Sequence, residues 1–415
     1  MSPPTLAARR PAAFVLLALL LGAACSDPVT DPGASAEALA DPPAAAARGP
    51  QNPALVDTGR QIFRFDTFGN ETFWSDTLGL HEAISAVVSP QLALQVGLKV
   101  DADALPAEIK AALQAQTIDL GDPATTIALL ELDAVVGVAG QVENGQLTRV
   151  GITCALCHST VDNSLAPGIG RRLDGWPNRD LNVGATVALS DSLTPAQRAV
   201  YESWEPGMYD PRFNIDGKNI PVILPPAFGL RHVQRELYTG DDVVSYWNAY
   251  VAITQMHGHG TFSDPRIGVS VSNPPDLVSS KLEALRAYQF SLRTPAPAPG
   301  SFDRAAASRG RAVFNGKARC ADCHLGSTLT DINAGRLHDA AEVGQDPAYA
   351  ERSVTKQYRT TPLRGLWNPP QLDGPYFHDG SAATLEAVVE HYVDLLELEL
   401  SDEEKSDLTE YLKSL

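Results

Sequence analysis

The sequence predicts a mainly α chain of two like units, with an α+β segment inserted in the first. Three observations carry this. A C-x-x-C-H motif occurs twice, as Cys154-Ala155-Leu156-Cys157-His158 and Cys320-Ala321-Asp322-Cys323-His324. A G-R-x-[IV]-F box stands ahead of each, at Gly59-Arg60-Gln61-Ile62-Phe63 and Gly310-Arg311-Ala312-Val313-Phe314. Apolar residues recur at helical spacing, most clearly near the C-terminus. The 415 residues, 44% hydrophobic and 20% charged, are enough for two or three globular units and exclude wholesale disorder. A formal charge of −18 excludes nucleic acid as the expected partner, because phosphates call for a basic surface. It suits a soluble protein that steers a cationic partner.

Residues 1–25 read as an export signal. Arg9 and Arg10 precede an apolar run over 12–21, and Gly22-Ala23-Ala24 leads to Cys25. The run is too short to span a bilayer as a mature helix. The ending resembles the lipobox of bacterial lipoproteins, with its usual leucine one place early at Leu21. Two readings stay open: lipidation at Cys25, which is favoured, or an ordinary secretory peptide with an incidental cysteine. Either places the mature chain on the periplasmic side of a bacterial membrane. Residues 26–52, rich in Ala, Pro, Gly and Asp, read as a disordered tether.

The first unit covers 53–293. Its G-R-x-[IV]-F box reads as the start of a short helix, and so does the later one. The stretch 64–150 is an insertion with no functional reading of its own. Within it, 105–114 reads as a helix, and 134–151 as a hairpin turning at Asn144-Gly145. That hairpin delivers the chain into the first C-x-x-C-H motif. Thr194 caps a helix running to Trp204, with Pro195 in its first position. A helical stripe over 277–292 contains Leu277, Leu282, Leu285, Tyr288 and Leu292. The Pro-rich stretch 294–303 is a stiff linker, and the second unit is 304–415. There, Leu385, Val388, Val389 and Tyr392 share a helix face. Ser401 and Glu404 form a capping box for a last helix lined by Leu408, Tyr411, Leu412 and Leu415.

The C-x-x-C-H spacing is the attachment signature of haem c. Two thiols add to the two vinyl groups of one porphyrin, and the following histidine comes under the ring as the proximal iron ligand. A redox disulfide or half a zinc site uses the same pair of cysteines. Two copies, each followed by histidine, with no further cysteine pair to complete a Cys₄ site, favour two covalent haem c groups. Cys154, Cys157 and His158 hold one; Cys320, Cys323 and His324 hold the other. Cys25 takes the fifth thiol, so no structural disulfide is left for the mature chain.

Only Met208 and Met256 follow the signal segment, and either is a candidate sixth ligand, since thioether ligation raises a haem potential. Met256 lies among Gln255, His257 and His259. Gln255 is the candidate distal group for moving a proton between peroxide oxygens; the plainer reading of 253–260 is a solvated Gly/His loop. His81, His232 and His338 have no supporting context. Trp176, Trp204, Tyr238 and Trp247 are either bridges between haems or ordinary core aromatics.

The runs Thr360-Thr361-Pro362-Leu363-Arg364-Gly365-Leu366, Gly374-Pro375-Tyr376-Phe377-His378-Asp379-Gly380-Ser381 and Thr384-Leu385-Glu386 resemble the second haem domain of the bacterial dihaem cytochrome c peroxidase and MauG family. The match covers 304–415. A looser one, through the first box, the first C-x-x-C-H, Asp162-Asn163 and Gly175-Trp176, covers 57–180, and none of its motifs falls in 64–150 or 181–300. The resemblance implies two cytochrome c-like haem domains facing each other. It implies that the His324 haem accepts electrons from a small donor protein, a cytochrome or cupredoxin. The His158 haem, open on its distal side, then reacts with hydrogen peroxide. Calcium between the domains is implied by the family alone.

Two departures matter. The stretch 169–176 contains Arg171 and Arg172 but no histidine to close the first distal site, which leaves it permanently open or without peroxidase chemistry. No methionine follows Met256, and Tyr392 takes the position where MauG has a tyrosine on the second iron; the alternative is a core aromatic. The resemblance puts His378 near the second haem, hydrogen-bonding rather than coordinating. The leading expectation is an exported dihaem oxidoreductase that reduces hydrogen peroxide. The alternatives are MauG-like oxidation of a protein substrate, or a dihaem electron carrier with no substrate.

Overall fold

Two helix crossings, each made at a glycine, organise the chain. The computed structural model describes residues 34–35, 52–367 and 375–415. The export signal, Cys25, most of the tether and Gly374 lie outside them. Helix α1 (Pro53–Phe65) opens with Asn52 accepting from the Ala54 N–H and with Pro53 in its first turn. The 64–150 stretch then carries short helices at Leu80–Val87, Pro90–Gln95, Ala107–Gln114 and Pro123–Glu131. Strands β1 (Val138–Glu143) and β2 (Gln146–Ile152) follow as an antiparallel hairpin. Asn144 and Gly145, at φ 53° and 76°, supply the two left-handed residues that a tight hairpin turn needs. The hairpin runs into the one-turn helix α2 (Ala155–His158), as its position in the sequence predicts.

Further on, α3 (Val244–Tyr250) unwinds into a π-turn at Val251–Gln255. Strands β3 (Gly260–Asp264) and β4 (Val269–Asn273) pair antiparallel. Ala34–Ser35, inside the expected tether, pairs parallel with β3 at Phe262 and Ser263. An edge strand offers unpaired backbone groups, which is the physical reason an extended segment joins it. Helix α4 (Leu282–Ser291) precedes the irregular stretch 294–303. Helices α5 (Arg304–Asn315), α6 (Leu385–Leu395) and α7 (Asp402–Lys413) frame the C-terminal half. The Ser401–Glu404 capping box is formed. The described residues cluster as one compact unit.

The boxes are not helix starts. Each lies in the C-terminal half of its helix, and its glycine marks a crossing. A Cβ on Gly59 would overlap the Ala284 carbonyl of α4, and one on Gly310 would overlap the Asp407 carbonyl of α7. The phenylalanine of each box then meets a tyrosine edge-on: Phe63 to Tyr288 at 5.4 Å and Phe314 to Tyr411 at 5.1 Å. The same glycine-and-aromatic device is thus built twice. Gly310→Ala is expected to push α5 off α7 and cost about 1–3 kcal/mol, read as a lower denaturation midpoint with an unchanged slope.

Ile62, Phe63, Phe68, Tyr246, Tyr250, Phe262 and Leu285 fill the first core. A smaller one holds Phe314, Leu385, Val389, Leu408 and Leu412. Two sequence expectations are trimmed. The Thr194-capped helix ends at Tyr201, three residues before Trp204. Leu277 lies outside α4 and is exposed, because a 3₁₀ turn at Ser279–Lys281 comes first.

Candidate functional site

Both C-x-x-C-H motifs are prepared in the same way. In the first, Cys154 and Cys157 are free thiols, and burial pushes both up to about 12, so they are neutral. His158 Nδ1 lies 3.2 Å from the Pro225 carbonyl oxygen. Burial draws this imidazole down to about 4, against the pull of that carbonyl, so the ring is neutral. An N–H donated from Nδ1 leaves the Nε2 lone pair for a metal. Asn178 ties the motif down: its N–H donates to the Cys157 carbonyl at 2.9 Å, and its side chain donates to the Gly97 carbonyl at 2.9 Å. In the second motif, Cys320 and Cys323 are also free, and burial raises Cys320 to about 11. His324 Nδ1 lies 2.9 Å from the Leu329 carbonyl, and burial lowers its pKa. Paired neutral thiols beside a neutral imidazole, with one ring nitrogen fixed and one left over, are the donor set of haem c.

Gln255 is not in a solvated loop. The π-turn buries it, because its amide finds partners inside the protein. Tyr209 donates to its Oε1 at 2.5 Å, and its Nε2 donates to Asn214 Oδ1 at 3.1 Å and Thr254 Oγ1 at 2.9 Å. Burial, followed by the nearby Cys157, holds the Tyr209 phenol well above its ordinary value. Tyr209 therefore connects Gln255 to the first motif. Met256 is buried in the first core, which Cys154 also borders, and its carbonyl accepts from Trp74 Nε1 at 3.0 Å. His257 stacks on Phe73, with centroids 3.5 Å apart, and burial lowers it to about 4.

Tyr392 sits on α6 close to the second motif. Burial, then Cys320 and Cys323, push its phenol to about 12. Its neighbour His391 turns to the Val343 carbonyl at 3.0 Å. His378 is buried with both ring nitrogens engaged, Nε2 with Tyr358 Oη at 3.1 Å and Nδ1 with Gln345 Oε1 at 3.2 Å. His338 is buried too, with Asp331 Oδ2 3.0 Å from Nε2 and Glu342 Oε1 2.9 Å from Nδ1. Cys323 joins Asp331 and His338 in a cluster within 4.8 Å, but thioether formation would consume that thiol.

Of the four candidate bridging aromatics, Trp176 and Tyr238 lie between the halves. Trp176 meets Trp367 edge-on at 6.2 Å, and Tyr238 meets Tyr349 at 6.3 Å. Trp204 packs with Tyr201, Tyr209 and Phe213, while Trp247 belongs to the first core. Tyr209, Arg179 and Arg359 carry no sequence signal, since each is an isolated residue whose neighbours come from distant segments; Arg364 stands in the Thr360–Leu366 run that carries the resemblance. Among the described residues no helix is long and apolar enough to cross a membrane.

A mainly α chain with this donor set presented twice has the form of a c-type cytochrome. Comparison with known proteins agrees. No family model matches the chain. It is 35% identical over 127 residues to the methylamine utilization protein MauG of Methylorubrum extorquens, covering 26% of this chain and 34% of that one. It is 29% identical over 177 residues to hydrazine synthase subunit gamma of Kuenenia stuttgartiensis, covering 32% and 49%. It is 29% identical over 182 residues to cytochrome-c peroxidase IdrP1 of Denitromonas iodatirespirans, covering 32% and 48%. Over the matched stretches the chain is similar to MauG and dihaem cytochrome c peroxidase proteins. It spans about a third to a half of the length of these relatives.

Proposed function

We propose that the protein is an exported dihaem c-type oxidoreductase that reduces hydrogen peroxide with electrons from a small donor protein. The observation that carries the reading is the repeated site: two half-buried pairs of free thiols, each followed by a neutral histidine whose Nδ1 meets a backbone carbonyl. In this reading 53–293 and 304–415 are two cytochrome c-like domains joined at 294–303. Cys154, Cys157 and His158 hold the haem that meets peroxide; Cys320, Cys323 and His324 hold the haem that receives electrons. The haems supply the redox chemistry. The protein supplies the polar groups. In this reading Gln255, hydrogen-bonded to Tyr209 and Asn214, positions peroxide at the first motif and, with Tyr209, relays a proton between its oxygens. Tyr392 is the sixth-ligand candidate at the second iron. Met256 on the first iron would close the distal side and turn the protein into an electron carrier. The acidic chain suits a cationic cytochrome or cupredoxin as donor. Calcium rests on family resemblance alone.

Gln255→Leu is expected to lower peroxide reduction by about 10²-fold or more while both haem spectra stay unchanged. Unchanged turnover would remove Gln255 from the site. Cys25 is assigned as a lipid anchor holding the protein on the periplasmic side of the membrane. Cys25→Ala should release the protein from membranes, and persistent membrane association would contradict the anchor. A second reading, MauG-like oxidation of a protein substrate, is favoured by Tyr392 beside the second motif. It predicts peroxide-dependent oxidation of an added protein with no soluble donor present.

A further inference from the structure

Among the described residues, the seam between the two halves buries more positive charge than it neutralises. Arg179 follows the first motif, and its Nε and Nη1 are buried with no hydrogen-bond partner among the described residues. Arg359, with its side chain 8% exposed, donates from Nη1 to the Arg235 carbonyl at 2.6 Å and to Glu236 Oε2 at 3.3 Å. Its Nε is buried without a partner among the described residues. The Arg364 guanidinium reaches Gly229 in the first half, where a Cβ would lie 2.8 Å from Nη1. Tyr238 lies within electrostatic reach of both Arg179 and Arg359, and Glu236 faces Arg359 and Arg364. The three guanidiniums thus line one seam, where the Glu236 carboxylate faces two of them, Arg359 and Arg364. Burial draws all three below their usual range, Arg364 to about 10.

A buried guanidinium fork with open N–H groups calls for an anion, and a carboxylate fits it in two-point fashion. Each haem brings two carboxylates on its propionates. We propose that Arg179, Arg359 and Arg364 receive haem propionates, so that the two haems turn their carboxylate edges toward the seam rather than toward water. This rests on the dihaem reading. It makes the seam arginines positioning residues that set the redox potential of both haems. Reduction adds one electron to each haem, and a cation beside its propionate stabilises the reduced form.

The test is spectroelectrochemical titration of the holoprotein and its Arg179→Gln and Arg359→Gln variants, after intact mass has shown both haems attached. The expected result is a downward shift of at least one midpoint by about tenfold in the reduction equilibrium, about 59 mV for one electron. Lysine at the same positions should restore part of it. Unmoved midpoints in both variants would overturn the proposal. So would wild-type midpoints that respond to added inorganic phosphate, since the site would then take a free anion. Should the glutamine variants not fold, redox-difference infrared spectra of wild type with ¹³C-labelled propionates decide. Bands of guanidinium-bound carboxylates support the site, and bands of hydrated carboxylates overturn it. A protein lacking haem by mass would instead refute the dihaem reading itself.

Discussion

Replacing Cys154 and Cys157 together by alanine is expected to leave a protein with one haem, inert to peroxide but still reducible at the second motif. In the proposed reading the thiols are the covalent attachment points, and burial keeps them neutral until they react. Without them His158 keeps its Pro225 contact but has no tethered porphyrin above it. The Cys320→Ala, Cys323→Ala pair should do the reverse. It would keep the peroxide-reactive haem and lose electron entry, so that steady-state turnover falls to background while the first encounter with peroxide survives. Intact mass counts the haems, and single-turnover mixing separates the two defects. Retention of steady peroxide reduction by the first double variant would contradict the division of labour.

Arg352→Met is expected to cost about 3–5 kcal/mol of stability, the usual consequence of removing one member of a buried ion pair. The Arg352 side chain is 3% exposed and reaches back to the first half. It donates to Asp210 at 3.0 and 3.1 Å and to Asp216 at 2.8 Å. Asp210 is fully buried and, among the described residues, otherwise keeps only the backbone N–H groups of Arg212 and Ile220. Removing the guanidinium strands that carboxylate. Asp210→Asn combined with Arg352→Met should recover part of the loss, which a double-mutant cycle reads directly. The pH dependence has a definite sign. Burial alone would raise Asp216, but Arg352 and Lys218 hold it below its ordinary 3.8. A carboxylate with a depressed folded pKa contributes stability above its unfolded value and loses it as pH falls through the folded one. The gap between wild type and Arg352→Met should therefore narrow on acidification below pH 4. Urea denaturation at neutral and acid pH checks both statements.

Local features of the fold were legible because their signals are local. The hairpin turn needs two left-handed residues, and Asn144-Gly145 announces them. The Ser401–Glu404 box satisfies its own helix end. The C-x-x-C-H motifs carry their chemistry within five residues. Features that depend on a distant partner were not legible. Gly59 and Gly310 matter because of carbonyls on α4 and α7, so their boxes look like helix starts when read alone. Gln255 sits among glycines and histidines, and only Tyr209 and Asn214 explain why it is buried. His338 gave no signal, since its carboxylates come from Asp331 and Glu342 after the chain has folded. The 64–150 stretch was silent for the same reason. Asn70 pairs with Ile152 just before the first motif, accepting its N–H at 3.1 Å and donating to its carbonyl at 2.8 Å. The insertion buttresses the approach to Cys154.

One measurement bears most directly on the proposed peroxide chemistry: electron paramagnetic resonance of the oxidised protein, followed by mixing with hydrogen peroxide and a reduced small cytochrome. The expected result is one high-spin ferric haem that disappears on adding peroxide, with two donor molecules oxidised per peroxide consumed. Two low-spin haems that ignore peroxide would contradict the account and leave an electron carrier in its place.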